Sequence, residues 1–408
     1  MNLAAPAFQP VSDESVAWLG TEPIPAAPYY DPAYFELERE AVFKRNWLQI
    51  GHVCEIPEPG NFIRREIEVA GASILITRGK DGTVRAFHNV CTHRGTQLVD
   101  EAEGKRATFS CPYHRWTFGT DGRLLSAPDF ERFALDKADC SLPAVAVEIC
   151  AGFIFINLDP SPELSLSDSL GPLADELATM PSANATTFSE YVYDIEANWK
   201  LTYDNFQENY HLRFIHPRSG EATIGAENPF GYPARYGFHG PHRTQRIWSN
   251  PAPKVHPFQS RSFRRSMSIA AADGLAGSPT TRDYIALFPN FFVLGSPSQP
   301  FSHTVWPISA GRSRGVIRLY WTGEDDSASR RYAREFSMAV ARDVHAEDRA
   351  VIEAGQRGLA SGALKHIHFQ SQEVLCRHLF HAVNDRVEAY RAHIEGREPP
   401  SPKLGAAT

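Results

Sequence analysis

The stretch Cys91-Thr92-His93-Arg94-Gly95-Thr96-Gln97-Leu98, followed by Cys111-Pro112-Tyr113-His114-Arg115-Trp116-Thr117-Phe118-Gly119-Thr120-Asp121-Gly122, decides how the first half of the chain is read. The pattern is C-x-H, seventeen residues, then C-x2-H. Each half puts one thiolate and one imidazole on a short loop between β-type runs, so two adjacent loops can close on one centre. Zinc accepts two Cys and two His, but its usual spacings pair two Cys in one knuckle and two His elsewhere. Here each knuckle is mixed. A [2Fe–2S] cluster with two thiolates on one iron and two imidazoles on the other is supplied directly, because each loop sends its Cys to one metal and its His to the other. Cys54, Cys140, Cys150 and Cys376 lack such partners and read as packing thiols.

Outward from these loops, residues 46 to 157 show short β-type runs broken by Gly, Pro and Asp turns. Examples are Asn61–Gly71, Ala72–Val90, Arg115–Ser126 and Gly152–Pro160, with the Asp-Gly turns at 81–82 and 121–122 as hairpin signals. This predicts an all-β domain over 46–160. Residues 1–45 read as a lead-in with a helix over 33–47, and the Ser/Pro/Asp-rich segment 158–172 as a connection. The rest, 161–408, mixes elements. A helix is expected over 197–216, breaking near Pro217; strands near 283–296, 302–308 and 314–322; and long amphipathic helices over 325–358 and 371–394. Strands followed by helices, without βαβ alternation, predict an α+β domain on an antiparallel sheet.

A cluster alone moves electrons, so some 250 further residues need a purpose. They contain Asn198-Trp199-Lys200-Leu201-Thr202-Tyr203-Asp204-Asn205-Phe206-Gln207-Glu208-Asn209-Tyr210-His211, then His216-Pro217. On a straight helix His211 and His216 point about 140° apart, so they converge on a metal only if the helix ends or distorts between them. Pro217 favours such a stop. By spacing alone the pair is weak evidence for a metal, and adjacent acids such as Asp343, Glu347 and Asp348 read as a solvated helix face.

The two motifs together, CTHRGTQL with CPYHRWTFGTDG and then NWKL-x3-NF-x-E-x-YH-x4-H, resemble those of Rieske non-haem iron oxygenases over about residues 30 to 380. The resemblance implies a Rieske [2Fe–2S] domain held by Cys91, His93, Cys111 and His114. It also implies a helix-grip-like catalytic domain in which His211, His216 and a carboxylate hold Fe(II). The carboxylate carries over to Asp348. Glu208 carries over as the acid that links His211 to His114 of a neighbouring subunit, with Asp204 as runner-up, and Asn205 matches a position near the iron. That linkage implies a head-to-tail homotrimer. Glu rather than Asp at 208, with its short spacing to His211, resembles the branch of quaternary ammonium monooxygenases.

The expected function is that of a terminal oxygenase, using O2 to hydroxylate an aromatic or xenobiotic small molecule on the ring or beside N or O. The alternative substrate is a quaternary ammonium compound; a Rieske electron-transfer protein without catalysis is the alternative of another class. No flavin or NAD site is visible, so NAD(P)H acts only indirectly, through a separate reductase or ferredoxin. Phe206, Phe214, Ile215 and the run Phe288–Phe292 serve either a pocket or the core.

Composition bounds the partners. The 408 residues are 42% apolar and 22% charged, with a net charge of −7. An acidic chain without a basic block argues against nucleic acid or an anionic membrane surface. No apolar run is long enough for a membrane helix, and no export signal is visible, so a cytoplasmic location is expected.

Overall fold

Two Asp-Gly turns set the strand register in the first half of the chain. Asp81 accepts a hydrogen bond from the Thr83 amide at 3.1 Å, and Gly82 takes φ 78°, joining strands Ala72–Arg78 and Val84–His88. Gly122, at φ 80°, joins Thr117–Gly119 to Leu124–Ser126; a Cβ there would lie 2.4 Å from the Phe87 ring. Only glycine fits that turn.

The computed structural model describes residues 11–217, 219–254, 257–272, 281–296, 300–323 and 327–404. The first ten residues of the expected lead-in, and Asp325 and Asp326 at the expected helix start, lie outside these. The chain forms two compact units, one of residues 43–169 and the other of residues 1–42 with 170–408. No described helix is long and apolar enough to cross a membrane.

The 43–169 unit is built on a seven-stranded sheet in the order Leu48–His52, Phe153–Asn157, Ala144–Cys150, Val84–His88, Ala72–Arg78, Asn61–Ile67, Glu103–Lys105. A three-stranded sheet of Thr108–Ser110, Thr117–Gly119 and Leu124–Ser126 accompanies it. Its core includes Phe62, Phe87, Phe109, Phe118 and Trp116, and Cys91 and Cys111 belong to the same cluster.

The second unit carries a seven-stranded antiparallel sheet, ordered Thr187–Ile195, Arg312–Trp321, Phe301–Ser309, Phe291–Gly295, Thr281–Leu287, His242–Trp248, Arg235–His239. The register lines up two rows of side chains across it. One row runs Tyr191, Ile317, His303, Phe292, Ala286, Arg243, Phe238. The next, two residues along each strand, runs Ser189, Leu319, Phe301, Leu294, Tyr284, Gln245, Tyr236. Together the units make an α+β protein, as the sequence predicts.

The long helix Ala328–Ala360 covers this face, with Ile352 packing against Tyr193 and Ile317. Ser327 caps its N-terminus by accepting from the Arg330 amide. Asn198 caps Trp199–Asp204, and Gln356 ties the two helices together by accepting from the Asn198 amide at 2.8 Å. The second long helix is Val374–Ile394.

Three sequence expectations need correction. The helix expected over 197–216 stops at Asp204, and after a non-helical turn only Leu212–Ile215 is helical. The helix expected over 33–47 covers Pro32–Glu38 and then widens into a π-type turn at Arg39–Phe43. The helix Pro257–Ala272 and the strands Arg235–His239 and His242–Trp248 were not expected.

Candidate metal centres

The two Cys/His loops of the 43–169 unit share one backbone design. In each, the Cys amide donates to the carbonyl five residues on, Cys91 to Thr96 and Cys111 to Trp116, both at 2.8 Å. The amide four residues on donates back, Gly95 to Cys91 at 2.9 Å and Arg115 to Cys111 at 3.1 Å. That fourth residue takes positive φ in both loops, 79° at Gly95 and 60° at Arg115. A non-glycine residue holds this conformation only where the surroundings impose it.

The loops turn their thiols inward and their imidazoles outward. Cys91 and Cys111 are buried and free of disulfide, whereas His93 and His114 are partly exposed. The two rings stand 4.6 Å apart, and His93 stacks on Trp116 at 5.0 Å. Burial lowers the pKa of His93, and His114 and Arg94 lower it further, so the ring is a neutral donor near pH 7. Nδ1 of His114 is buried without a hydrogen-bond partner. Two facing thiols, two imidazoles and an orphaned ring nitrogen fit a [2Fe–2S] cluster. A hollow of about 440 Å³ lies beside the rings, lined by Arg115, Trp116, Asp129, Arg132 and Phe133 among others.

In the second unit, His211 and His216 flank the short helix Leu212–Ile215 as its two caps. This placement solves the angular problem of their spacing, with ring centroids 5.2 Å apart. The long helix brings Asp348 between them. Its Oδ1 lies 2.9 Å from Nε2 of His216 and 3.6 Å from Nε2 of His211. Among the described residues, these three side chains form the group able to hold a metal ion, with ligand atoms within 4.8 Å of one another.

The opposite ring nitrogens are already spent. Nδ1 of His211 meets Oε1 of Glu208, and Nδ1 of His216 meets Oε2 of Glu347 at 2.6 Å. An imidazole that donates from Nδ1 presents a lone pair at Nε2. Two such lone pairs then face a buried carboxylate oxygen that has no hydrogen-bond donor among the described residues. Acceptors facing acceptors repel unless a cation lies among them, and two imidazoles with one carboxylate suit Fe(II). Burial disfavours a charge on His216, but the carboxylates of Asp348 and Glu347 outweigh it and raise the ring's pKa; a cation between the Nε2 atoms and Asp348 would take the place of that proton.

The structure also separates the acids. Asp348 is buried, Glu347 is half-buried against His216 and Ser219, and Asp343 is exposed. Glu208 lies in a turn rather than on a helix face, and its Oε2 accepts from the His211 amide at 3.2 Å. Asp204 points elsewhere, accepting from the Tyr29 hydroxyl at 3.0 Å. Asn205 keeps a buried, unpartnered Nδ2. Phe206 packs on His303 at 4.4 Å, whereas Phe214 is 62% exposed. The role of Glu347 beside His216 was not read from the sequence; the adjacency of two acids on one helix was its only signal.

Comparison with known proteins agrees with both centres. Residues 46–144 match the Rieske [2Fe–2S] domain, and residues 182–389 match the ring hydroxylating alpha subunit catalytic domain. The glycine betaine monooxygenase oxygenase subunit of Pseudomonas aeruginosa is 29% identical over 367 residues, covering 83% of each chain. The carnitine monooxygenase oxygenase subunit of Acinetobacter pittii is 29% identical over 355 residues, 86% of this chain and 87% of the relative. A glycine betaine monooxygenase oxygenase subunit from Chromohalobacter salexigens is 39% identical over 198 residues, 48% of this chain; the match spans only 44% of that relative. Among solved structures, the quaternary ammonium Rieske monooxygenase CntA with an inhibitor superposes at TM-score 0.74 and 25% identity, covering 93% of this chain and 99% of CntA. Naphthalene 1,2-dioxygenase with indole shares the fold at TM-score 0.68 and 22% identity, covering 88% and 90%.

Proposed function

Because this chain belongs to the ring-hydroxylating oxygenase alpha-subunit family, with a Rieske [2Fe–2S] domain before its catalytic domain, we propose that it hydroxylates a small quaternary ammonium compound with O2. The observation that carries the oxygenase reading is the meeting of two imidazole Nε2 atoms and the Asp348 carboxylate, each ring held from behind by its own acid. The relatives that match along more than four-fifths of the chain favour the quaternary ammonium class, placing it ahead of the aromatic class expected from sequence.

In this reading Cys91, Cys111, His93 and His114 hold the [2Fe–2S] cluster, and His211, His216 and Asp348 hold Fe(II). When bound, the two centres supply stored electrons and activation of O2. The protein's own groups do the rest. Glu208 and Glu347 fix the tautomer and direction of His211 and His216, keeping both Nε2 atoms unprotonated. Glu208 has a second task, as the link between His211 and the partner's His114. That task requires a head-to-tail homotrimer. Electrons come from NAD(P)H through a separate reductase or ferredoxin, in the cytoplasm, where the four remaining thiols stay reduced.

The aromatic class keeps one specific support. The 2-aminobenzenesulfonate 2,3-dioxygenase alpha subunit of an Alcaligenes species is 35% identical over 193 residues, 46% of this chain and 48% of that relative. O2 uptake with a surrogate reductase and a panel of betaines, tertiary amines and aromatic acids decides between the classes. Coupled uptake with an aromatic compound alone would overturn the quaternary ammonium assignment.

A further inference from the structure

The inner face of the catalytic sheet carries its apolar rows up to the strands Thr281–Leu287 and His242–Trp248, where the pattern breaks. Arg243, Gln245 and Tyr284 point into the protein, all three buried. Gln245 and Tyr284 are direct cross-strand partners, and Arg243 sits two residues from Gln245 on the same face. Their polar atoms are largely unused. Among the described residues, Nη2 of Arg243, both amide atoms of Gln245 and the Tyr284 hydroxyl have no hydrogen-bond partner.

Arg243 is the sharpest case. It is 0% exposed, and its guanidinium cannot shed its charge. Among the described residues its polar partners are the Gln207 side-chain oxygen and, at 3.4 Å, the Pro241 carbonyl; neither is a carboxylate. The Tyr203 ring lies 5.4 Å from the guanidinium carbon. Asp204 attracts the guanidinium through space but is linked to it by hydrogen bonds only through Gln207, whose amide donates to it at 3.1 Å. Burial also pushes the Asp204 carboxyl up to about 7, so it is a weak counter-charge near neutral pH. A buried guanidinium with no carboxylate hydrogen-bonded to it is costly, and an anion arriving from outside would offset that cost.

We propose that Arg243, Gln245 and Tyr284 form a subsite for the carboxylate of the substrate. A guanidinium N–H, an amide N–H and a phenol O–H supply three donors of the kind a carboxylate accepts. The subsite adjoins the proposed iron site along the chain: Gln207, which holds Arg243, is four residues before His211, and neighbouring Asn205 has its own unpartnered Nδ2. Aromatic rings continue from it across the sheet, with Phe292 4.6 Å from Tyr284 and 5.8 Å from Phe206. Aromatic surface beside an anion site suits a molecule with a cationic or apolar body and an acidic end. The inference rests on the oxygenase reading and narrows its substrate to acids.

The test compares each acid with its primary amide on the full-length, metal-loaded protein by calorimetric titration. One pair is 4-(trimethylammonio)butanoate and its amide; the other is benzoate and benzamide. Wild type should bind at least one acid about tenfold or more tighter than its amide. Arg243→Gln and Tyr284→Phe should each weaken the acid by about tenfold or more and the amide much less, removing that preference. Should Arg243→Gln fail to fold, Tyr284→Phe and Gln245→Leu decide, since the fold makes no use of the atoms they remove. Equal or absent binding of acid and amide in both pairs overturns the subsite, as do variants that weaken both members alike. Acid preference in the benzoate pair alone keeps the subsite and removes the quaternary ammonium reading. Turnover of a carboxylate-free quaternary amine without acid preference does the reverse.

Discussion

Glu347 and His216 meet across 131 residues of sequence, with Oε2 of the acid 2.6 Å from Nδ1 of the ring. The next residue along the helix, Asp348, faces the other nitrogen of the same ring at 2.9 Å. Two adjacent acids therefore hold one imidazole from both edges, one as hydrogen-bond acceptor and one as the proposed fellow ligand. Ser219 donates to the same Glu347 oxygen, which fixes the carboxylate in turn. Removing an acceptor of this kind costs a metal site roughly 10- to 100-fold in affinity.

Glu347→Ala is accordingly expected to lose iron from the mononuclear site at chelator concentrations that wild type withstands, with acid-labile sulfide unchanged. Asp348→Ala should lose that iron outright, and Asp343→Ala should lose none. Iron and sulfide analysis checks all three, from about three irons and two sulfides per chain in wild type. Equal iron retention by Glu347→Ala and wild type would remove Glu347 from the site.

Asp204 gives the stability a pH dependence of predictable sign. Burial raises its pKa to about 7 in the folded protein, above its ordinary value of 3.8. A raised acid contributes stability that is fully present below the unfolded pKa and lost as pH rises through the folded one. Asp204→Asn keeps an acceptor for Tyr29 and removes the titration. Between about pH 4 and 7 the melting temperature of wild type should therefore fall relative to the Asn variant. Parallel curves over that window would refute the assignment.

Both candidate centres were legible in the sequence because most of their proposed ligands sit in short motifs. Cys91 with His93, Cys111 with His114, and His211 with His216 are local pairs, and the Asp81-Gly82 and Asp121-Gly122 turns announce the hairpins between which the cluster loops hang. What was hidden depends on distant partners. The break after Asp204 cannot be seen from helix propensity, because Tyr203 and Asp204 are held there by Phe291 and Tyr29. The strand His242–Trp248 reads poorly because Arg243 and Gln245 stand at its inward positions, where alternation calls for apolar residues. Polar groups on a buried face break the pattern that reveals a strand, and these are the residues the carboxylate subsite uses.

The pairing of Lys200 with Glu38, 162 residues apart, is equally invisible in sequence. Nζ of Lys200 lies 2.5 Å from Oε1 of Glu38, both side chains are excluded from solvent, and the Trp199 indole donates to the other oxygen at 3.1 Å. Burial raises the pKa of Glu38 and lowers that of Lys200, and each partner opposes the shift of the other. Breaking a buried pair strands one charge, at a cost of about 3–5 kcal/mol. Lys200→Met should thus lower the melting temperature by on the order of 10 °C. The double variant Glu38→Gln, Lys200→Met should recover much of that loss. A double variant no more stable than Lys200→Met would count against a stranded charge as the cause.

Glu208→Gln separates metal binding from electron transfer. The glutamine oxygen still accepts from Nδ1 of His211, so the ring keeps its direction and both metals should remain in place. What the amide lacks is the charge, and the freedom to form the proposed bond with the partner's His114 whatever that ring's proton. In single-turnover experiments with pre-reduced protein and excess substrate, cluster absorbance should return with O2 at least about 100-fold more slowly than in wild type. Steady-state product should fall in parallel, while iron content and substrate affinity stay unchanged. Loss of the mononuclear iron would instead make Glu208 a support for His211 alone. Wild-type reoxidation in an iron-replete variant would take the electron route away from this acid altogether.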